Sequence, residues 1–273
     1  KILFLNTLAF TVSFACWTLN GVLVTFLVDR GIFNWSVVEV GWLLGIPILS
    51  GAIFRLPIGI LTDKYGGKII FSFLLFLCAI PLFLLPFADT FWSFAVLSFL
   101  FGLIGTSFSV GIGYTSVWYP QNWQGRALGI FGMGNAGAAI TTFIAPTLLN
   151  DFSKNDPTDG WKMLPITYGA VLVAIGVLFI IFAKNKKPQG DTKNLKSARV
   201  WRFGAYYFLV FGCFVAYSQW LLPNFMNVYH TSLVMGGMFA TLFSLPGGVI
   251  RAFGGYLSDK FGARKVMYWV LGS

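Results

Sequence analysis

The stretch GAIFRLPIGILTDKYGGK, Gly51 to Lys68, returns 196 positions later as GGVIRAFGGYLSDKFGAR, Gly247 to Arg264, and the two copies align without a gap. Gly51/Gly247, Arg55/Arg251, Gly59/Gly255, Leu61/Leu257, Asp63/Asp259, Lys64/Lys260 and Gly66/Gly262 are identical pairs. Each copy places an arginine inside apolar sequence and closes on a charged, glycine-bearing tail. A guanidinium does not shed its proton under ordinary conditions. Burying one in hydrocarbon therefore costs several kcal/mol unless an anion or a dense hydrogen-bond network meets it. Two arginines at matching places point to an anion held between two repeats, since a guanidinium donates two parallel hydrogen bonds to a planar oxyanion. The alternative is a structural arginine satisfied by carbonyls or by a neighbouring helix. Arg55 lies about 12 Å along a helix from Asp63 at ~1.5 Å per residue, too deep to snorkel to an interface.

Working outward, the whole chain is built for lipid. Of 273 residues 57% are hydrophobic and 10% charged, with 30 phenylalanines and a mean hydropathy of +0.76, far from the balance of a soluble domain. A helix needs about 20 apolar residues to cross roughly 30 Å of hydrocarbon. Eight such runs are predicted, near 3–28, 38–62, 69–87, 91–118, 126–149, 163–183, 201–227 and 232–257, with a ninth beginning near Val266. The chain opens on Lys1 at an apolar run too long for a signal-peptide core, which predicts a retained first helix and a natural N-terminus further upstream. An all-α membrane protein follows.

The net charge of +10 reports topology. With the N-terminus inside, fourteen basic residues fall in cytoplasmic segments and only Arg30, Lys154 and Lys162 in outer loops, the two intramembrane arginines set aside. That asymmetry is the positive-inside pattern of a multi-pass protein of the cytoplasmic membrane, so the expected partner is the lipid bilayer and not nucleic acid. Cys16, Cys78 and Cys213 fall within spans, where a thiol acts as a small hydrophobe. No metal-ligand spacing, nucleotide motif or Ser/His/Asp constellation appears, and the only histidine, His230, stands at an outer helix end. No cofactor, no metal and no enzyme activity are expected.

The polar, basic segment Lys184 to Arg199 reads as a cytoplasmic linker. It divides the chain into a complete N-terminal six-helix bundle, 1–183, and an incomplete C-terminal bundle, 200–273, holding helices seven, eight and the start of nine. The outer segment Asn150 to Lys162 carries turn residues. Ser36 with Glu39 three residues on fits a capping box at the start of helix two, which explains Glu39 without a proton-carrying role. In helix five, GIFGMGNAGAA (Gly129 to Ala139) strips side chains from one face. Gly132 and Gly134 let a helix or a ligand approach the backbone, and Asn135 is the one strongly polar side chain there, serving either an interhelical hydrogen bond or a ligand.

Parallel six-helix repeats joined by a cytoplasmic loop are the layout of the major facilitator superfamily. The tails DKYGGK and DKFGAR resemble its loop motif after helix two and the echo after helix eight, which implies a helical bundle lacking most of helix nine and all of ten to twelve. In these tails Asp63, Lys64, Lys68, Asp259 and Arg264 are expected to have a conformational role, pairing or capping across the interface. FRLPIG, SFSVGIGYTSVWYP, QGRALGIFGMGNAGA and IRAFGGYLSDKFG together look like the nitrate/nitrite porter family of that superfamily, over essentially the whole chain. The resemblance implies that Arg55 and Arg251 hold the anion, with Asn135 as the signature asparagine. It maps a helix-four aromatic onto Phe108 and a helix-seven pair onto Tyr207 and Phe211, which at i and i+4 share a helix face. Two departures stand out: Ala138 and Ala139 where the family often has further small residues or glycine, and a second signature expected beyond Ser273.

The function this implies is secondary active transport of nitrate, and of nitrite, by alternating access, as a monomer. Two fixed positive charges in a partly dehydrated site favour closure around a monoanion, which suits an antiporter. The ending LPIGILTDKYGG looks more like the proton symporter branch, yet no Asp or Glu lies deep in the eight spans. Another monovalent anion such as a small carboxylate, a membrane receptor and an anion channel are the competing readings.

Overall fold

The structure, a computed structural model, describes residues 1–187 and 197–272. Eight membrane-length elements follow one another: α1 (Ile2–Asp29), α2 (Val37–Ile53 bent into Arg55–Tyr65), α3 (Gly67–Phe87), α4 (Phe91–Ser116), α5 (Gln121–Lys154), α6 (Gly160–Phe182), α7 (Ala198–Tyr229) and α8 (Leu233–Phe261). A shorter α9 (Ala263–Gly272) closes the described chain. No strand occurs among the described residues. With no water in the hydrocarbon to satisfy backbone groups, helices that bond internally are the expected solution.

Most of the helices outrun the apolar stretches that announce them; α4 ends two residues short, at Ser116. The discrepancy is largest in α5, whose helical residues continue to Asn155 and take up the first six positions of the segment expected to be loop. Polar residues there extend the helix beyond the hydrocarbon, and the Lys154 ammonium pairs with the Asp151 carboxylate one turn back at 2.6 Å. The turn comes only at Asp156, whose Oδ1 accepts from the amides of Thr158 and Asp159 at 3.2 and 2.9 Å. α9 likewise starts three residues before Val266, because Gly262 with φ +88° turns the chain at once. Its counterpart Gly66, φ +93°, makes the same turn between α2 and α3. Both conformations are ones L side chains avoid, so the repeated glycine has a repeated geometric cause. The Ser36/Glu39 capping box is present: Ser36 N and Oγ donate to Glu39 Oε2 at 2.8 and 2.7 Å, and Glu39 N donates to Ser36 Oγ at 3.3 Å.

Residues 188–196, most of the expected linker, lie outside the described residues. Its opening residues are docked: Tyr114 Oη donates to Lys184 O at 2.6 Å, Asn185 Nδ2 to Tyr65 O at 3.1 Å and Lys186 Nζ to Val117 O at 2.6 Å. Its far end is helical, since α7 begins at Ala198.

α3 packs against α6, α2 against α4, α1 against both α5 and α7, and α8 along α5. Lipid gives no hydrophobic drive between helices, so buried polar links and close backbone approach hold the bundle. Asn6 Nδ2 reaches Gly111 O (3.0 Å) and Thr115 Oγ1 (2.6 Å) from α1 to α4, and Asn20 Nδ2 reaches Leu43 O (2.7 Å) in α2 and Ser98 Oγ (2.9 Å) in α4. Four spans lose regular α geometry midway: α1 at Thr18, α2 at Phe54, α4 over Leu103–Thr106 and α5 over Met133–Ala136. Mid-helix turns of this kind often mark functional hinges, and those of α1, α2 and α4 surround Arg55.

Candidate functional site

Arg55 occupies the first position after the break in α2. Pro57, two residues on, has no amide hydrogen to offer Ile53 O, and its ring crowds that carbonyl. The helix bends there by 40°. The same break aims the arginine inward. Arg55 Nη2 donates to Gly105 O in α4 at 3.3 Å, while its Nε is buried with no protein partner. The guanidinium carbon lies 5.8 Å from the Trp17 ring, 5.7 Å from Phe108 and 5.4 Å from Phe211.

Arg251 enters from the far side on a helix, α8, that runs unbroken from Leu233 to Phe261. Its guanidinium carbon lies 5.4 Å from the Phe211 ring and 5.5 Å from Phe214. Both arginines therefore converge on Phe211, which bounds their separation at twice that distance. Neither forms an ion pair with a carboxylate among the described residues. The buried Tyr207 hydroxyl lies within electrostatic reach of both guanidinium groups, without meeting full hydrogen-bond geometry to either.

The surrounding rings are nearly parallel. Phe108 stacks on Tyr207 (5.7 Å, 16°) and on Phe211 (5.6 Å, 15°), and Tyr207 stacks on Phe211 (4.8 Å, 17°). Electron-rich ring faces attract a cation by about 0.5–2 kcal/mol each, which offsets part of the cost of dehydrating two guanidinium groups. Their mutual repulsion remains, roughly 2 kcal/mol at about 10 Å and an effective dielectric of 20. An anion midway, about 5 Å from each, would gain roughly 3 kcal/mol per contact by the same estimate. Attraction to one guest outweighs repulsion between the hosts.

The glycine-rich part of α5 serves two faces. Gly132 lies under the Arg251 stem, where an added methyl would meet Cδ at 3.3 Å. Gly134 instead packs on Phe10 and the Thr11 amide of α1, and Gly137 on the Thr11 carbonyl. Asn135, fully buried, donates within its own helix, Nδ2 to Gly132 O at 2.7 Å, and its Oδ1 has no protein partner. Its amide thus closes the Met133–Ala136 turn, and it makes no interhelical hydrogen bond.

The tail residues part company. Asp259, its side chain 8% exposed, caps the start of α5: Oδ1 accepts from Gly125 N and Oδ2 from Arg126 N, each at 2.8 Å, with Arg126 Nε at 3.7 Å. Arg126 also lies over the Trp123 and Tyr256 rings at 4.9 and 5.0 Å. Asp63 makes no such contact. Lys64 lies over Tyr65, and Arg264 donates to Tyr268 Oη at 3.1 and 3.2 Å. Of the five expected, only Asp259 ties α8 to α5.

Sequence reasoning passed over Trp17, Phe214, Gly105 and Arg126. Trp17 donates Nε1 to Pro47 O at 2.7 Å and walls the Arg55 side. A tryptophan among ten in a uniformly apolar chain carries no signal of its own. Arg126 stands inside the quoted QGRALG and was readable as the partner of a motif aspartate.

A family model for the Major Facilitator Superfamily matches residues 5–273. The chain belongs to the Major Facilitator Superfamily. It is 41% identical over 287 residues to a probable nitrate/nitrite antiporter, NarK1, of Thermus thermophilus, covering 100% of this chain and 64% of that protein. It is 31% identical over 277 residues to a probable nitrate/nitrite transporter, NarK2, of Mycobacterium tuberculosis, covering 97% and 68%. A nitrite extrusion protein of Bacillus subtilis is 28% identical over 275 residues, covering 97% and 67%. The chain thus spans about two thirds of the length of these relatives, and within the superfamily it belongs to the nitrate/nitrite porter family. A crystal structure of a bacterial homolog of the human lysosomal transporter Spinster, inward-facing and unoccupied, superposes with a TM-score of 0.69 at 19% identity over 96% of this chain and 63% of that one. At that identity the likeness speaks for the superfamily fold alone.

Proposed function

We propose that this chain carries the anion site of a secondary transporter that moves nitrate and nitrite across the cytoplasmic membrane by alternating access. Arg55 and Arg251 hold the anion from opposite sides. The observation that carries the reading is their convergence on one ring, each guanidinium carbon 5.4 Å from Phe211 and neither paired with a carboxylate among the described residues. Near-parallel Phe108, Tyr207 and Phe211 form flat walls, which favour a planar trigonal anion over a tetrahedral or bulky one. Gly132 leaves room for the Arg251 stem, and Asn135 holds the α5 turn beside it.

In this reading 1–183 is one six-helix half and 200–273 the start of the other, with the N-terminus cytoplasmic and the protein a monomer. The α5–α8 contact belongs to the surface on which the halves rock. Asp259 latches its cytoplasmic end and releases it when the inside opens. Lys64, Lys68 and Arg264 present the matching basic tails there, with Asp63 the counterpart of Asp259.

Exchange is the favoured mode. An empty site with two unneutralised cations resists closing, so return without a bound anion is slow. Among the described residues no carboxylate lies midway along a span to carry a proton. The test is nitrate uptake into liposomes holding the protein expressed from its complete gene. Uptake that needs internal nitrite or nitrate and survives an uncoupler is expected; uptake that collapses with the uncoupler and ignores internal anion would assign proton symport.

A further inference from the structure

Gln219 in α7 is 2% exposed, and neither its Nε2 nor its Oε1 has a partner in the protein. Its neighbours along the wall, Leu44, Ile48, Val215 and Trp220, are apolar, so a leucine would fill the place without leaving an amide unpaired. Unpaired buried amides are costly and rare. Packing does not explain this one.

The wall it belongs to borders an open-sided cavity of about 520 Å³ between α1, α2 and α7, and the same cavity is lined by Arg55, Tyr207 and Phe211. Tyr207, Phe211, Val215 and Gln219 recur every four residues, one stripe on the helix facing that space. Gln219 stands about 12 Å from Phe211 along the axis, toward the end of α7 that leads to His230. Its amide oxygen lies against Gly21 of α1, where an added methyl would come within 2.5 Å. α1 and α7 thus cross closely at Gln219, which also lines the cavity beside that crossing.

We propose that Gln219 is a second, weaker anion station, on the outer approach to the two arginines. The proposal rests on the transport reading above. A carboxamide offers N–H donors without a net charge, so it can replace part of an anion's hydration without trapping it. The guanidinium groups beyond make the cavity positive, and no carboxylate lines it. A monovalent oxyanion is the guest this chemistry suits. Gln219 has the role of a positioning residue on the path and does not touch the anion at its final site.

The test compares Gln219→Leu, Gln219→Glu and the parent protein, each expressed from the complete gene. Nitrate is the probe, and equilibrium binding in detergent, initial uptake into liposomes and melting temperature are the readouts. For Gln219→Leu we expect binding within twofold of the parent, uptake slowed at least tenfold and a melting temperature no lower. For Gln219→Glu uptake falls further, since a carboxylate repels the approaching anion. Parental uptake in Gln219→Leu overturns the station and leaves the transport reading standing. Binding, uptake and melting temperature falling together would make Gln219 a packing residue. Absence of nitrate uptake by the parent protein would remove the transport reading and the station with it.

Discussion

The two copies of one motif, Gly51 to Lys68 and Gly247 to Arg264, share seven residues and do different work. Copy two is engaged along its length. Gly255 lies against the Gly125 carbonyl and Gly129 of α5, Arg251 passes Gly132, and Asp259 caps α5. Within these 273 residues, about two thirds of the length of the relatives, nothing packs on the corresponding face of copy one: Gly59 has nothing near it, Asp63 has no partner among the described residues, and Leu56, Ile60 and Leu61 are exposed. The helices differ too. Pro57 stands where copy two has Phe253, so α2 breaks at Phe54 while α8 runs unbroken. Identical residues acquire roles from what packs on them: Gly66 and Gly262 make the same turn, Arg55 and Arg251 have the same task in the proposed site, and Gly59/Gly255 and Asp63/Asp259 part company.

The largest effect expected tests that shared task. Arg55→Lys and Arg251→Lys each keep the charge but lose the forked donor geometry. Each should weaken nitrate binding by roughly 2–3 kcal/mol, or about thirty- to a hundred-and-fiftyfold in Kd, measured by titration calorimetry. A large loss at one position only would break the equivalence of the copies.

The second comparison sharpens the difference. Gly255→Leu drives a side chain into the backbone of α5 and should destabilise the 273-residue chain by about 2 kcal/mol. Gly59→Leu, facing open space, should stay within about 0.5 kcal/mol. Denaturation in mixed micelles reads both, and equal losses would contradict the account of α5 and α8.

Asp259→Ala removes two charge-assisted bonds to first-turn amides that otherwise lack partners. It should cost about 1–2 kcal/mol in the same assay, against little for Asp63→Ala. The smallest effect is local: Ser36→Ala breaks the capping box of α2 and should cost about 0.5–1 kcal/mol. The second copy's helix starts differently, at Ser232, whose Oγ accepts from Met235 N at 3.3 Å.

Much of this was legible beforehand. Eight spans follow from apolar length, the capping box from Ser36 and Glu39, and the matched turns from Gly66 and Gly262. The mid-span breaks were not, because helices apolar on every side carry no periodicity to interrupt. Pro57 did mark the bend in α2, but a proline in a membrane helix signals a kink only where neighbours re-satisfy the freed carbonyl. The glycine face of α5 announced close approach without naming its partners, since a missing side chain records contact and not identity. Gln219 stood in plain view as one polar residue in a long helix, and only its burial without a partner set it apart.

The account is tested most directly by a structure of the protein determined in the presence of nitrate. One anion touching both guanidinium groups, with Phe108, Tyr207 and Phe211 flanking its plane, is the predicted result. An anion bound elsewhere, with Arg55 and Arg251 each bonded to protein oxygens alone, would contradict it.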